Sequence, residues 1–265
     1  MNLEGCRILL TGASGGLGAA IAESLAARGA RLALAGRRRD ALDTVARRLR
    51  SMPAQAHVVE GDITDAAQRR EMVESARAQL GGIDVLINNA GALEFTLFAE
   101  QDPATIERIV QTNLLGPMLL TREVLPHLLA QGEGRVVNIG STFGTIGFAC
   151  FTSYSASKFG LRGFSEALRR ELDGSGVGVT YVAPRAARTA INNGTVMAMA
   201  REVKMNMDPP EVVAQAVVRA LQQDRDEAYV GFPESFFARL NALLPRLVDR
   251  ALRGQNAVMR RYAQS

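Results

Sequence analysis

Tyr154 and Lys158 stand four residues apart in the run Tyr-Ser-Ala-Ser-Lys. On a helix that spacing puts both side chains on one face, with the ammonium close to the phenol. A free phenol titrates near pH ~10. A neighbouring positive charge favours the phenolate and brings the group towards useful acid–base range. Ser141 follows an apolar run at residues 135–139. Its hydroxyl can hydrogen-bond a carbonyl oxygen that becomes an alkoxide. Taken alone, a Tyr-x-x-x-Lys pair reads as an ordinary helix-surface pair. Its weight comes from what precedes it in the chain.

A short apolar run at residues 7–10 breaks into Thr-Gly-Ala-Ser-Gly-Gly-Leu-Gly, and a helical pattern follows. Gly12, Gly16 and Gly18 have the spacing Gly-x-x-x-Gly-x-Gly, with Ser14 and Leu17 between them. A strand, a glycine turn and a helix start make an anion site, because the helix N-terminus offers free N–H groups and glycines admit a pyrophosphate. A bare tight turn is the plainer reading, but the position after the first strand favours a dinucleotide. The second strand ends Gly36-Arg37-Arg38, with no acid before Asp40. A carboxylate there would suit the NAD ribose. Arg37 instead suits a 2′-phosphate, so NADP(H) is favoured over NAD(H). The competing reading of residues 37–39 is a solvated basic turn.

These residues need a scaffold that brings them to one edge. Apolar strand-like runs at residues 7–10, 31–35, 57–60, 85–88, 135–139, 177–183 and 228–231 alternate with helical patterns. The helices are expected near residues 40–51, 65–80, 103–129 and 152–172, with one more opened by an Asp208-x-x-Glu211 capping pattern and ending at Gln222. Such alternation predicts an α/β fold: a doubly wound parallel sheet with helices on both faces and its ligand at the carboxyl ends of the strands. We expect residues 1–265 to form one domain, with 235–265 as a basic amphipathic extension.

Bulk composition narrows the classes. The chain has 265 residues, 47% hydrophobic and 22% charged, enough to build a core without disulfides or metal. Cys6 and Cys150 match no metal or redox spacing, and His57 and His127 are isolated, so no metal site is expected. With no signal-peptide pattern and no bilayer-length apolar run, a cytoplasmic protein is expected. The net charge of +4 is concentrated in the tail, where residues 235–265 hold six arginines and one acid. The body of the chain is therefore not basic, and nucleic acid is not an expected partner. In the tail, apolar residues from Phe236 to Leu252 recur at helical spacing, and Pro245 predicts a kink or a break. Such a segment can dock on its own domain, on a sister subunit or in a membrane interface.

Together the glycine turn at residues 11–18, Asn88-Asn89-Ala90-Gly91, Asn113, Ser141 and Tyr154-x-x-x-Lys158 resemble the short-chain dehydrogenase/reductase family. The resemblance implies a Rossmann-type sheet of about seven strands, assembled as a homodimer or homotetramer. It implies that Tyr154 donates a proton to a carbonyl or accepts one from an alcohol, and that Lys158 lowers the Tyr154 pKa and holds the nicotinamide ribose. Ser141 would orient the substrate oxygen and Asn113 would sustain a water-linked proton relay. Asp62 and Ile63 would contact adenine, while Asn89, Ala90 and Gly91 would line the cofactor floor. Pro184 and Thr189 match the segment that touches the nicotinamide amide, but Arg185 stands where the family has glycine. Arg185 would reach a substrate or phosphate, or point into solvent. Phe143, Phe148 and Phe151, with Met197, Met199, Met205 and Met207, read either as a greasy pocket under a flexible lid or as core. The expected function is an NADP(H)-dependent carbonyl reductase or alcohol dehydrogenase for a hydrophobic, lipid-derived small molecule. The alternative is a non-catalytic NADP-binding sensor or scaffold on the same fold.

Overall fold

The computed structural model describes residues 1–189, 191–192 and 194–264. Its centre is a seven-stranded, all-parallel sheet: β1 (Arg7–Thr11), β2 (Arg31–Gly36), β3 (Gln55–Glu60), β4 (Val85–Asn88), β5 (Gly134–Ile139), β6 (Val177–Pro184) and β7 (Glu227–Val230). The strand order β3-β2-β1-β4-β5-β6-β7 reverses direction between β1 and β4. At such a switch point the loops diverge and leave a crevice beyond the carboxyl ends of the strands. In register, Leu10 lies beside Leu34 on one side and Ile87 on the other.

Alternating side chains on each strand divide between two cores. Ile8 and Leu10 face one, which α1 (Gly16–Ala26), α2 (Arg39–Leu49) and α8 (Pro210–Gln222) close with Ile21, Leu42 and Val217. Leu9 and Leu86 face the other, closed by Met72 of α3 (Ala66–Leu80), Val124 of α5 (Gly116–Gln131) and Leu168 of α6 (Thr152–Glu171). Both faces are thus covered, the Rossmann-type arrangement that continuous apolar strands require.

Several elements differ from expectation. The long helix expected over residues 103–129 is continuous but not uniform: α4 (Pro103–Val110) runs through a π-helical turn at Gln111–Leu115 directly into α5. Asp102 caps α4 by accepting from Thr105 N at 3.2 Å. Asp208 does not cap α8: its carboxylate turns to Arg185, and the helix begins after Pro209 with Pro210 in its first turn, where a missing N–H costs nothing. The methionine-rich stretch forms a helix, α7 (Gly194–Glu202), whose Met199 is fully buried. In the tail Pro245 makes a break: α9 (Glu234–Leu243) ends and α10 (Pro245–Ala263) begins. Among the described residues no helix is long and apolar enough to cross a membrane, and no group of three or more His, Cys, Asp and Glu side chains could hold a metal ion.

Candidate active site

The turn after β1 is held from across the switch point. Thr11 Oγ1 accepts from the backbone N–H groups of Asn89 at 3.0 Å and Ala90 at 3.1 Å. Asn89 Nδ2 donates to the Thr11 and Gly12 carbonyls at 3.0 and 3.2 Å. That packing leaves no room for side chains. A Cβ on Gly12, which has φ +64°, would lie 2.8 Å from Ala90 Cα, and one on Gly18 would lie 2.1 Å from the Gly12 carbonyl oxygen. α1 then starts with no side-chain cap and no acid in its first turn. Its N–H groups and positive dipole end are left for an anion.

A cleft of about 570 Å³ opens over this turn. Gly12, Ser14, Gly16, Leu17 and Gly18 line it, as do Arg37, Asp62, Ile63, Asn89, Ala90 and Gly91. Pro184 and Thr189 close it from the β6 side, with Thr189 packed over Gly16. Arg37 is largely exposed at the rim, its guanidinium 3.8 Å from the Asp62 carboxylate. Asp62 in turn accepts from Thr64 N and Oγ1, both at 2.9 Å, which fixes the loop after β3.

Ser141, Tyr154 and Lys158 line the same cleft, brought there by β5 and α6. Ser141 Oγ accepts from Phe143 N at 3.1 Å and caps a single 3₁₀ turn, Thr142–Gly144. The Tyr181 hydroxyl clamps the Ser141 backbone, accepting from its N–H at 3.3 Å and donating to its carbonyl at 3.2 Å. Lys158 is buried, and its Nζ donates to the Ile139 carbonyl at 2.8 Å while lying 5.8 Å from the centre of the Tyr154 ring. Burial drives the two groups in opposite senses, since it penalises whichever form is charged. Tyr154 is pushed up to about 12, with the Ser141 hydroxyl as a hydrogen-bond partner pulling it back in part. Lys158 is pushed down to about 8. In this geometry the phenol is held above its ordinary value, because desolvation outweighs the Ser141 hydrogen bond; the lowering expected from Lys158 is not found.

Asn113 lies beneath the cleft in the π-helical turn and is fully buried. Its Oδ1 accepts from Ala92 N at 2.7 Å, and its Nδ2 donates to the Ala92 carbonyl at 2.8 Å and to Ser157 Oγ at 3.0 Å. It therefore ties the loop after β4 to the helix that carries Tyr154 and Lys158. Arg185 points neither to solvent nor into the cleft with a free charge. Its guanidinium pairs with both oxygens of Asp208, and with Glu234 at 3.0 Å. Its φ is not positive, so replacing the family's glycine brings no backbone strain.

The cleft also has apolar lining from Leu93, Phe143, Phe151, Val196, Met205 and Met207, of which all but Met207 belong to one hydrophobic cluster. Phe148 stacks on Phe143 at 4.3 Å, and Met199 is core; neither lines the cleft. Cys150 adopts φ +64°, unusual for a residue with a Cβ, and this sharp turn delivers Phe151 to the start of α6. Tyr181, Leu93 and Val196 were not singled out by the sequence. Tyr181 carried a signal, as the only polar-tipped aromatic in the apolar run of β6.

The chain is similar to known proteins in sequence and in fold. The short chain dehydrogenase family model matches residues 7–200. The ketoacyl reductase HetN of Nostoc sp. is 37% identical over 230 residues, covering 86% of this chain and 79% of that protein. The 3-oxoacyl-[acyl-carrier-protein] reductase FabG of Escherichia coli is 36% identical over 184 residues, covering 69% and 74%. The fold matches that of a short-chain dehydrogenase/reductase from Burkholderia phymatum solved in complex with NAD, at a TM-score of 0.85 and 23% identity over 93% of this chain and 96% of that one. The chain belongs to the short-chain dehydrogenase/reductase family and is an NAD(P)-dependent oxidoreductase.

Proposed function

We propose that the chain is an NADP(H)-dependent carbonyl reductase, running in reverse as an alcohol dehydrogenase, for a hydrophobic and lipid-derived substrate. The observation that carries this reading is that Ser141 and Tyr154 line one cleft with the glycine turn, while Tyr154 also packs with the apolar cluster of Phe143, Phe151 and Met205 that lines the same cleft. A carbonyl bound there would have its polar end on the hydroxyls and its apolar body against that cluster. The names of two of the matched relatives, a ketoacyl reductase and a 3-oxoacyl-[acyl-carrier-protein] reductase, support the same substrate class.

The residues fit a dinucleotide. The uncapped, acid-free start of α1 suits the pyrophosphate, and exposed Arg37 beside the loop after β2 suits a 2′-phosphate. When bound, the nicotinamide supplies the hydride. The chain supplies position and the proton. Ser141, held by Tyr181, orients the substrate oxygen, and Tyr154 is kept as a neutral phenol by burial and so is a proton donor at neutral pH. Lys158 places a buried cation beside the phenol, to steady the charge left when the proton departs and to hold the ribose. Asn113 ties the loop after β4 to α6 through Ala92 and Ser157 and would sustain a water-linked proton relay. We further propose a homodimer or homotetramer, consistent with the exposed Leu115 and Met118 beside the π-helical turn.

The test is NADPH oxidation by purified protein over ketones and 3-oxoacyl thioesters of graded chain length. We expect kcat/KM to rise by roughly threefold or more per pair of added methylenes, in line with burial of apolar surface, until the cleft is full. A flat profile, or a preference for short polar carbonyls, would overturn the substrate class.

A further inference from the structure

We infer that the α9–α10 pair is a docking surface for an anionic lipid bilayer. One side of the pair is already committed to its own chain. Ala238, Val248 and Met259 are buried. Glu202 of α7 accepts from the Tyr262 hydroxyl at 2.9 Å and pairs with Arg261. Asn241 Nδ2 donates to the Thr145 carbonyl at 2.8 Å, which fastens α9 to the loop after Ser141. These contacts turn the pair's other side outward.

That other side is both greasy and cationic. At the break between the helices Leu243 is 80% exposed, Leu244 53% and Leu247 52%. These three leucines share one shallow depression with Arg246 and Arg250. Phe236 extends the apolar strip along α9, seven residues before Leu243 and so on the same helical face, and is 54% exposed. Arg239, Arg246, Arg250 and Arg253 are exposed and form no ion pair among the described residues. Asp249 is the one acid of α10, and Glu234 of α9 is taken by Arg185.

Charge decides the occupant. A two-fold contact with a second copy would set this arginine cluster against itself and leave its charges unanswered. An anionic bilayer answers both properties at once, with phosphates for the arginines and the headgroup–acyl boundary for the leucine tip. Vesicle binding needs no turnover, so this inference stands or falls separately from the proposed reaction.

The experiment is co-sedimentation of the full chain with phosphatidylcholine vesicles and with vesicles containing one-third phosphatidylglycerol. We expect pelleting with the anionic vesicles and little with the neutral ones. Leu243→Ser/Leu244→Ser/Leu247→Ser and Arg246→Glu/Arg250→Glu should each weaken binding at least roughly tenfold, with circular dichroism and NADPH affinity unchanged. Wild-type protein left in the supernatant, equal pelleting with both vesicles, or variants that pellet like wild type would each overturn it. So would light scattering that shows an oligomer lost in the leucine variant, which would give the patch to a second copy.

Discussion

Arg37 sits at the rim with its charge only loosely engaged, 3.8 Å from Asp62 and largely in solvent. A guanidinium in that state can move to a phosphate without breaking a buried contact. Charge-assisted hydrogen bonds of this kind are worth about 1.5–3 kcal/mol. Arg37→Ala should therefore lower the NADPH-over-NADH preference by roughly 10- to 100-fold, read from the two dissociation constants by fluorescence titration. A wild-type preference for NADH, or an unchanged ratio, would remove the NADP assignment. At this scale much was legible in the chain, because Gly12, Ser141, Tyr154 and Lys158 are marked by residue type and spacing. What was not legible was the balance of forces on them. Spacing sets Lys158 near Tyr154, but only the packed structure shows that burial raises the phenol and lowers the ammonium.

Among the elements, β6, α8 and α9 meet at one guanidinium. Arg185 leaves the end of β6, pairs with Asp208 just before α8, and reaches Glu234 in the first turn of α9. The same stretch bridges Ala187 to Asp208, so the loop that carries Thr189 is anchored here as well. Arg185→Ala would leave the nearly buried Asp208 carboxylate unpaired. Since Arg185 itself is partly exposed, we expect a loss of about 1–3 kcal/mol in urea unfolding, below the figure for a fully buried pair. A change under about 0.5 kcal/mol would show that the network is ornamental. The sequence could not reveal this triad, because its members are separated by 23 and 49 residues along the chain. Nor could it reveal the π-helical turn within the long helix: one extra residue there leaves the apolar pattern of residues 103–129 nearly intact. α7 was missed for another reason. The methionines of residues 197–207 suit a lid or a core equally well, and only the fold shows Met199 of α7 packed inside while Met205 and Met207, beyond the helix, line the cleft.

Across the whole molecule, alternating strands and helices allow a doubly wound sheet to be read from the chain, since parallel pairs need covered crossovers. The order β3-β2-β1-β4-β5-β6-β7 is a property of the assembled sheet, and it creates the crevice at the β1–β4 switch. That crevice brings residues from Gly12 to Thr189 to one cleft, polar at the glycine turn and apolar under α7. The central claim is that Tyr154, which lines the cleft and packs against its apolar cluster, moves the proton. It is tested most directly by Tyr154→Phe, which keeps the ring's contact with Phe143 and removes only the hydroxyl. In NADPH oxidation with the best carbonyl from the chain-length series, kcat should fall roughly 100- to 10,000-fold. NADPH affinity measured on the same protein should stay within about threefold of wild type. A variant that turns over at the wild-type rate would contradict the assignment.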